Sequence, residues 1–521
     1  MGMKRFAGTV RSSGMGHPSR RRFRVKKLIA TLVLTVLTGV PGLRGQETIA
    51  IDAHAATTPF PHFWEEMFGS GHAILALREN YREDLRSVKG VTDFRYVRFH
   101  GILDDEVGSY TEDEHGEPVY NFAYVDEIYD GLLKNGVRPV VEISFMPTKL
   151  AFNPLDLHVF WYHPNVSPPK SLARWDAYMT AFAQNLVKRY GIDEVAQWYF
   201  EVWNEPNIDF WGGIPREGSY FELYAHTARD LKKVSPRLRV GGPATAAASW
   251  IPEFLQYVAK NNVPIDFVST HGYADDTVEN LFHSDEKIGE DDRVCRAVEK
   301  VQGEIRASAK PDLPLFWTEW NVEGRDESRD TTFVGPGVAN TIRECDGHVT
   351  MMSFWTFDDV FEEGGPIPKP FVGMFGLITR GGIRKPSFYD FALLHELGEQ
   401  RIAVQADDAI ATRADDGSLR VAVWNIVDPG AHGSTRTVEL SFSGVAPSAT
   451  VAVERVDEDH GNVLPKYAAM GSPLDPTPEQ VERLNRETAP GAAEETHLEG
   501  GRIKLTLTPN ALVLVKVGGQ P

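Results

Sequence analysis

The sequence has little cysteine, few positive charges beyond its first residues, and no apolar run long enough to cross a bilayer comfortably. Two cysteines in 521 residues, Cys295 and Cys345, exclude a disulfide-stapled scaffold. Export would allow them to pair, and two buried free thiols fit equally well. The sequence leaves that choice open. The one extended apolar run, from Leu28 to Val40, falls short of the ~20 residues a membrane helix needs. No glycine-rich loop follows a strand to cradle a phosphate, and no Gly-x-Ser-x-Gly elbow prepares a serine for ester chemistry. No His, Asp or Glu cluster shows metal-ligand spacing. A mechanism with no cofactor and no metal is the expectation.

What is present begins with a leader. The first 45 residues carry ten Lys or Arg and no acid, with a cluster from Arg20 to Lys27 just before the apolar run. A basic segment, a short apolar segment and small residues after it describe a secretory signal. Ser19-Arg20-Arg21-Arg22-Phe23 also resembles a twin-arginine export signal. The expected location is periplasmic or extracellular, with an uncleaved anchor as the alternative and no stable membrane insertion once the leader is removed. Of 54 basic and 73 acidic residues, removing the ten leader cations leaves 44 against 73, a net charge of −29. So acidic a surface repels phosphate backbones, which excludes nucleic acid as a partner.

From Phe63 to Leu397 short apolar runs alternate with amphipathic stretches. The runs start near Trp64, Phe94, Pro139, Trp198, Arg239, Phe267, Leu315 and Val349. Helix-like stretches between them include 124–135, 172–190, 220–234, 251–261, 293–308 and 338–345. Eight strands with crossovers over such a length predict an α/β fold, a (β/α)8 TIM barrel. Their continuous apolar character fits parallel strands buried on both faces. After Leu397 the runs 419–426, 437–442, 450–456 and 503–517 alternate as strands, with one helix over 477–488. That pattern predicts a C-terminal β-sandwich accessory domain. The expected layout is a leader at 1–45, a strand at 46–62 joining the sandwich, the barrel at 63–397 and the sandwich at 398–521.

Chemistry in such a barrel sits at the C-terminal ends of the strands. The predicted ends read Arg98-Phe99-His100, Trp203-Asn204-Glu205-Pro206, Thr270-His271-Gly272-Tyr273, Thr318-Glu319-Trp320 and Trp355-Thr356-Phe357. Two carry a lone glutamate between strand and turn. Cleaving a glycosidic bond needs two carboxyl groups on opposite sides of the anomeric carbon. Strands four and seven face each other across the mouth, so Glu205 and Glu319 can flank a sugar.

Trp203-Asn204-Glu205-Pro206 with the later Thr318-Glu319-Trp320 resembles the retaining barrel glycosidases. The longer stretches 200–207, 270–273 and 353–363 resemble glycoside hydrolase family 39, the β-xylosidases and α-L-iduronidases. The resemblance implies Glu205 as general acid/base and Glu319 as nucleophile. It implies Asn204 as the partner of the sugar 2-hydroxyl, and His100, His271, Tyr273 and Trp355 as residues of the sugar subsite. Glu362 and Glu363 fall where the xylosidase branch has acids that bind sugar hydroxyls. The iduronidase branch has a lysine where this chain has Tyr273, so a neutral pentose fits better than a uronate.

For Glu205 to act as an acid, burial and the charge of Glu319 should raise its pKa. The expected activity is exo-hydrolysis of β-D-xylosides from xylo-oligosaccharide ends with retention. Two alternatives stand beside it: the same mechanism on another β-glycoside or internally on a polysaccharide, and a catalytically silent glycan-binding protein. The loop 151–169 is expected to shape the entrance. The oligomeric state is not readable.

Overall fold

Eight strands close into one parallel barrel in sequence order: β1 (Met67–His72), β2 (Tyr96–His100), β3 (Arg138–Ile143), β4 (Tyr199–Val202), β5 (Arg239–Thr245), β6 (Phe267–His271), β7 (Leu315–Trp320) and β8 (Met351–Phe354). The computed structural model describes residues 47–322 and 326–518, so the leader expected over 1–45 lies outside the described residues. Ser353 and Phe354 of β8 pair with Met67 and Phe68 of β1, which closes the ring. Every predicted apolar run overlaps one barrel strand. Buried on both faces, these strands need no polar alternation.

The outer helices are α1 (Glu79–Lys89), α2 (Ala123–Lys134), α3 (Leu172–Tyr190), α4 (Arg216–Val234), α5 (Ile251–Lys260), α6 (Glu290–Arg306), α7 (Val334–Cys345) and α8 (Pro386–His395). Helix α3 has the bounds its periodicity predicts, and the Ser171 side chain caps it by accepting from the Arg174 amide, a contact worth about 1 kcal/mol. Helix α6 starts earlier than its apolar pattern because Glu290, Asp291 and Asp292 form a first turn that suits the helix dipole. The sequence reading missed α1 and α8. Helix α8 is buried along nearly its whole length, which erases the amphipathic signal.

A plug of Met67, Val140, Phe267, Phe316 and Met351 fills the lower barrel, with Tyr96 and Tyr199 against it. Phe267 and Phe316 stack at 4.7 Å. Burying one such ring contributes about 1.5–3 kcal/mol, so the base is a packed core. The open end is left for chemistry.

Beyond the barrel lie two sheets. A seven-stranded sheet runs through 494–497, 450–456, 512–517, 419–424, 409–413, 400–402 and 57–59. A three-stranded sheet places Glu47–Asp52 parallel to Arg436–Ser443, with Arg502–Leu507 on the other side. Ile49, Leu440 and Leu505 of the small sheet share a core with Ala411, Val421 and Val515 of the large one. Alternate residues Ile410, Ala422 and Leu514 join the barrel core instead. The large sheet is thus a middle layer, buried on both faces.

The single predicted strand 503–517 is two strands. Asn510, at φ 59°, turns the chain, and the two halves enter different sheets. The helix predicted over 477–488 is Pro478–Thr488, with Thr477 and Gln480 in a reciprocal capping box. Cys295 and Cys345 are bonded, tying α6 to α7, which settles the alternative the sequence left open.

Candidate active site

The floor of the open end is a charge network built inside the strands. Arg98 on β2 is fully buried. Its guanidinium donates to Glu201 at 2.5 Å, to Glu319 Oε1 at 2.6 Å and to Asn204 Oδ1 at 2.9 Å, and lies 2.8 Å from Glu142. Glu142 on β3 and Glu201 on β4 are direct cross-strand partners. Like charges so placed repel, and Arg98 between them offsets that. Thr318 donates to the second oxygen of Glu201 at 2.7 Å.

Of these, the sequence reading nominated only Asn204 and Glu319. Arg98, Glu142, Glu201 and Thr318 were missed. A signal existed: Arg98, Glu142 and Glu201 are lone charges inside apolar strands, and a buried charge must find a partner.

Glu205 stands just past β4, in a turn where Trp203 (φ 72°) and Glu205 (φ 42°) adopt left-handed backbone angles. Such angles are costly for these residues and persist only where the surroundings enforce them. The Glu205 amide donates to the Ala244 carbonyl at 2.8 Å. The Asn207 side chain exchanges two hydrogen bonds with Ala246, and the Trp203 indole donates to Phe210. The loop after β5 thereby holds the turn that presents Glu205.

Glu319, at the end of β7, is the cross-strand partner of His271 on β6. One oxygen each from Glu205 and Glu319 and one ring nitrogen of His271 all lie within 4.8 Å of one another. His271 Nδ1 is 3.0 Å from Glu205 Oε1 and 3.6 Å from Glu319 Oε1. The Tyr273 hydroxyl donates to Glu319 Oε2 at 2.5 Å. Each oxygen of Glu319 therefore accepts a hydrogen bond, one from a cation. Among the described residues, Glu205 has only the imidazole.

That difference sets the electrostatics. Burial pushes Glu205 up to about 7; the charges of His100 and Arg98 oppose it, and Glu142 adds to it. Burial raises Glu319 as well, with Arg98 pulling back and Glu205 pushing further. Burial drives His271 down to about 4, so its ring is neutral near pH 7. Burial also works against a charged His100, but Glu142 and Glu363 overcome it and raise that ring to about 10. His100 Nδ1 lies 2.8 Å from Glu142, and its Nε2 lies 3.5 Å from Glu363.

The remaining candidates divide. Trp355 is buried beside this group, its ring 4.9 Å from that of His100. It can lie there because residue 69 is glycine: a Cβ on Gly69 would sit 2.1 Å from the indole. Glu363 joins the cluster through His100. Glu362 does not; it forms a bidentate pair with Arg78 at 2.5 and 2.9 Å. The loop 151–169 does reach this side. The Trp161 amide donates to the Glu363 carbonyl at 2.8 Å, and Tyr162 stacks on His72 at 4.0 Å.

The profile of glycosyl hydrolases family 39 matches residues 47–502. The chain belongs to family 39. It is an O-glycoside hydrolase, and its barrel and flanking sheets are the family's architecture. A β-xylosidase of Geobacillus stearothermophilus is 35% identical over 473 residues, spanning 88% of this chain and 93% of the relative. A β-xylosidase of Caldicellulosiruptor saccharolyticus is 37% identical over 432 residues, spanning 81% and 87%. The crystal structure of a monomeric β-xylosidase from Caulobacter crescentus superposes with a TM-score of 0.81 at 33% identity, covering 91% of this chain and all of that one.

Proposed function

We propose that this family 39 enzyme is an exo-acting β-D-xylosidase that works by double displacement, with Glu319 as nucleophile and Glu205 as acid/base. One observation carries the reading: an oxygen of each carboxylate lies within 4.8 Å of the other. So close an approach of the nearest oxygens is compatible with the ~5–5.5 Å between carboxyl groups in retaining enzymes.

In the first step a Glu319 oxygen bonds to the anomeric carbon while Glu205 passes its proton to the departing oxygen. In the second, Glu205 takes a proton from water, and the water oxygen displaces Glu319 from the sugar. The named charges on the floor suit the intermediate transition states. Arg98 and His100 lie among the carboxyl groups of Glu142, Glu201, Glu319 and Glu363, an acidic surrounding for a sugar ring that gains positive character. Asn204 gives its carbonyl oxygen to Arg98, which leaves its NH2 group for a sugar hydroxyl.

Similarity to two β-xylosidases supports the pentose, as does Tyr273 in place of a lysine that would bind a uronate. The contact of loop 151–169 with Glu363 supports exo action, since a polymer crossing the site would need that side open. For export, the basic leader in the sequence and the buried Cys295–Cys345 bond are the support, because such bonds persist in oxidising compartments. Labelling with a 2-fluoro-β-xyloside carrying a good leaving group tests the mechanism. A covalent adduct on Glu319 is expected, and an adduct on another residue would remove the assignment.

A further inference from the structure

We propose that His62, Glu65 and His395 form a binding site for one divalent transition-metal ion of the zinc class, at the end of the barrel opposite the catalytic carboxylates. The sequence shows no metal-ligand spacing because one ligand is 330 residues from the others. The fold supplies the third. His62 and Glu65 precede β1 in a tight turn, in which the Glu65 amide donates to the His62 carbonyl. His395 is the last residue of α8. His62 Nδ1 lies 2.6 Å from Glu65 Oε1, and His395 Nδ1 lies 2.8 and 3.0 Å from the two Glu65 oxygens.

Two imidazole nitrogens and a carboxylate meeting at one point are a donor set that suits zinc and its neighbours. Ligands on a tetrahedral zinc ion sit roughly 3.3 Å apart, given bonds of ~2.0–2.2 Å. The group therefore has to open by about half an ångström. His395, at 43% exposure, can move, while His62 is held by its ring contact with Trp64 at 4.4 Å. The same exposure gives an ion a way in and a position for water.

Charge argues for an ion as well. Glu65 is fully buried, and among the described residues no lysine or arginine pairs with it. Its side-chain partners are two imidazoles, and a desolvated carboxylate requires compensation. A dication supplies it. A neutral ring binding through Nδ1 shifts its proton to Nε2, and a doubly protonated ring releases one proton to solvent. The other group of this kind, Glu205, His271 and Glu319, already holds Arg98 and Tyr273 against Glu319.

The full-length protein, dialysed against a chelator, would be titrated with ZnCl2 by calorimetry and melted with and without the ion. We expect one zinc per chain, a melting temperature raised by a few degrees, and both effects lost in His395→Ala, with hydrolysis of an aryl β-xyloside unchanged by that variant. Glu319→Gln should keep the zinc effect. Absence of zinc binding, or equal binding by wild type and His395→Ala, would overturn the site. So would binding that is lost in Glu319→Gln, which would place the ion among the catalytic carboxylates.

Discussion

The guanidinium of Arg98 donates to Oε1 of Glu319 at 2.6 Å across 221 residues of sequence. Among the described residues no lysine or arginine forms such a pair with Glu205. Two neighbouring glutamates thus differ in their surroundings, because one has a cation in contact and the other has an imidazole.

The pH dependence follows from that asymmetry. In the proposed mechanism Glu205 must carry a proton to act first, and burial pushes its pKa up to about 7. kcat/KM on a xyloside with a poor leaving group should fall as pH rises through about 7. In Glu205→Gln that limb should disappear, with activity down by about 10²–10⁴-fold and less on aryl xylosides. The folded pKa lies above the ordinary 4.5, so the proton on Glu205 favours the folded state. That contribution is complete below about pH 4.5 and is lost on approaching 7. Denaturation of Glu205→Gln across this window should show a shallower decline; an unchanged slope would contradict the assignment.

Tyr273→Phe removes the 2.5 Å hydrogen bond to Glu319. A hydrogen bond to a charged group contributes about 1.5–3 kcal/mol, so a loss of about 10- to 100-fold in kcat is expected. Without that donor the carboxylate gives up its proton less readily, and the acidic limb of the pH profile should move to higher pH. Steady-state kinetics from pH 3 to 8 would detect it, and an unmoved acidic limb would count against the contact.

Arg98→Met leaves Glu142, Glu201 and Glu319 buried without their shared cation. Removing one partner of a buried ion pair costs about 3–5 kcal/mol. Arg98→Lys should restore little, because an ammonium cannot reproduce the fork that reaches several acceptors at once. Urea unfolding measures both variants. Wild-type midpoints would show that the network contributes no stability.

Gly69→Ala probes Trp355 indirectly. The new methyl group would occupy the space of the indole, and overpacking of this kind costs about 1–3 kcal/mol. With Trp355 displaced, KM for xylosides should rise while the fold persists. A crystal structure of the variant with Trp355 in place and normal kinetics would refute this role for the glycine.

Much of the architecture was legible because parallel strands buried on both faces announce themselves as apolar runs. The placement of Glu205 and Glu319 at one rim was legible for the opposite reason, as carboxylates ending such runs. Helix α8 escaped because burial on all sides removes periodicity. The pairing of Glu362 with Arg78 was not legible, since its position beside Glu363 says nothing of a residue 284 positions away.

Local chemistry along the chain was enough to dictate the eight-strand barrel, the strand ends that bear acids, and the cap on α3, since each depends on neighbours a few residues apart. Three-dimensional packing alone decided the disulfide, the two-faced middle sheet, the Arg98 network and the meeting of His62, Glu65 and His395. Each of those depends on distances between residues remote in sequence. Charge and burial take their effect from such distances, and no pattern of spacing encodes them.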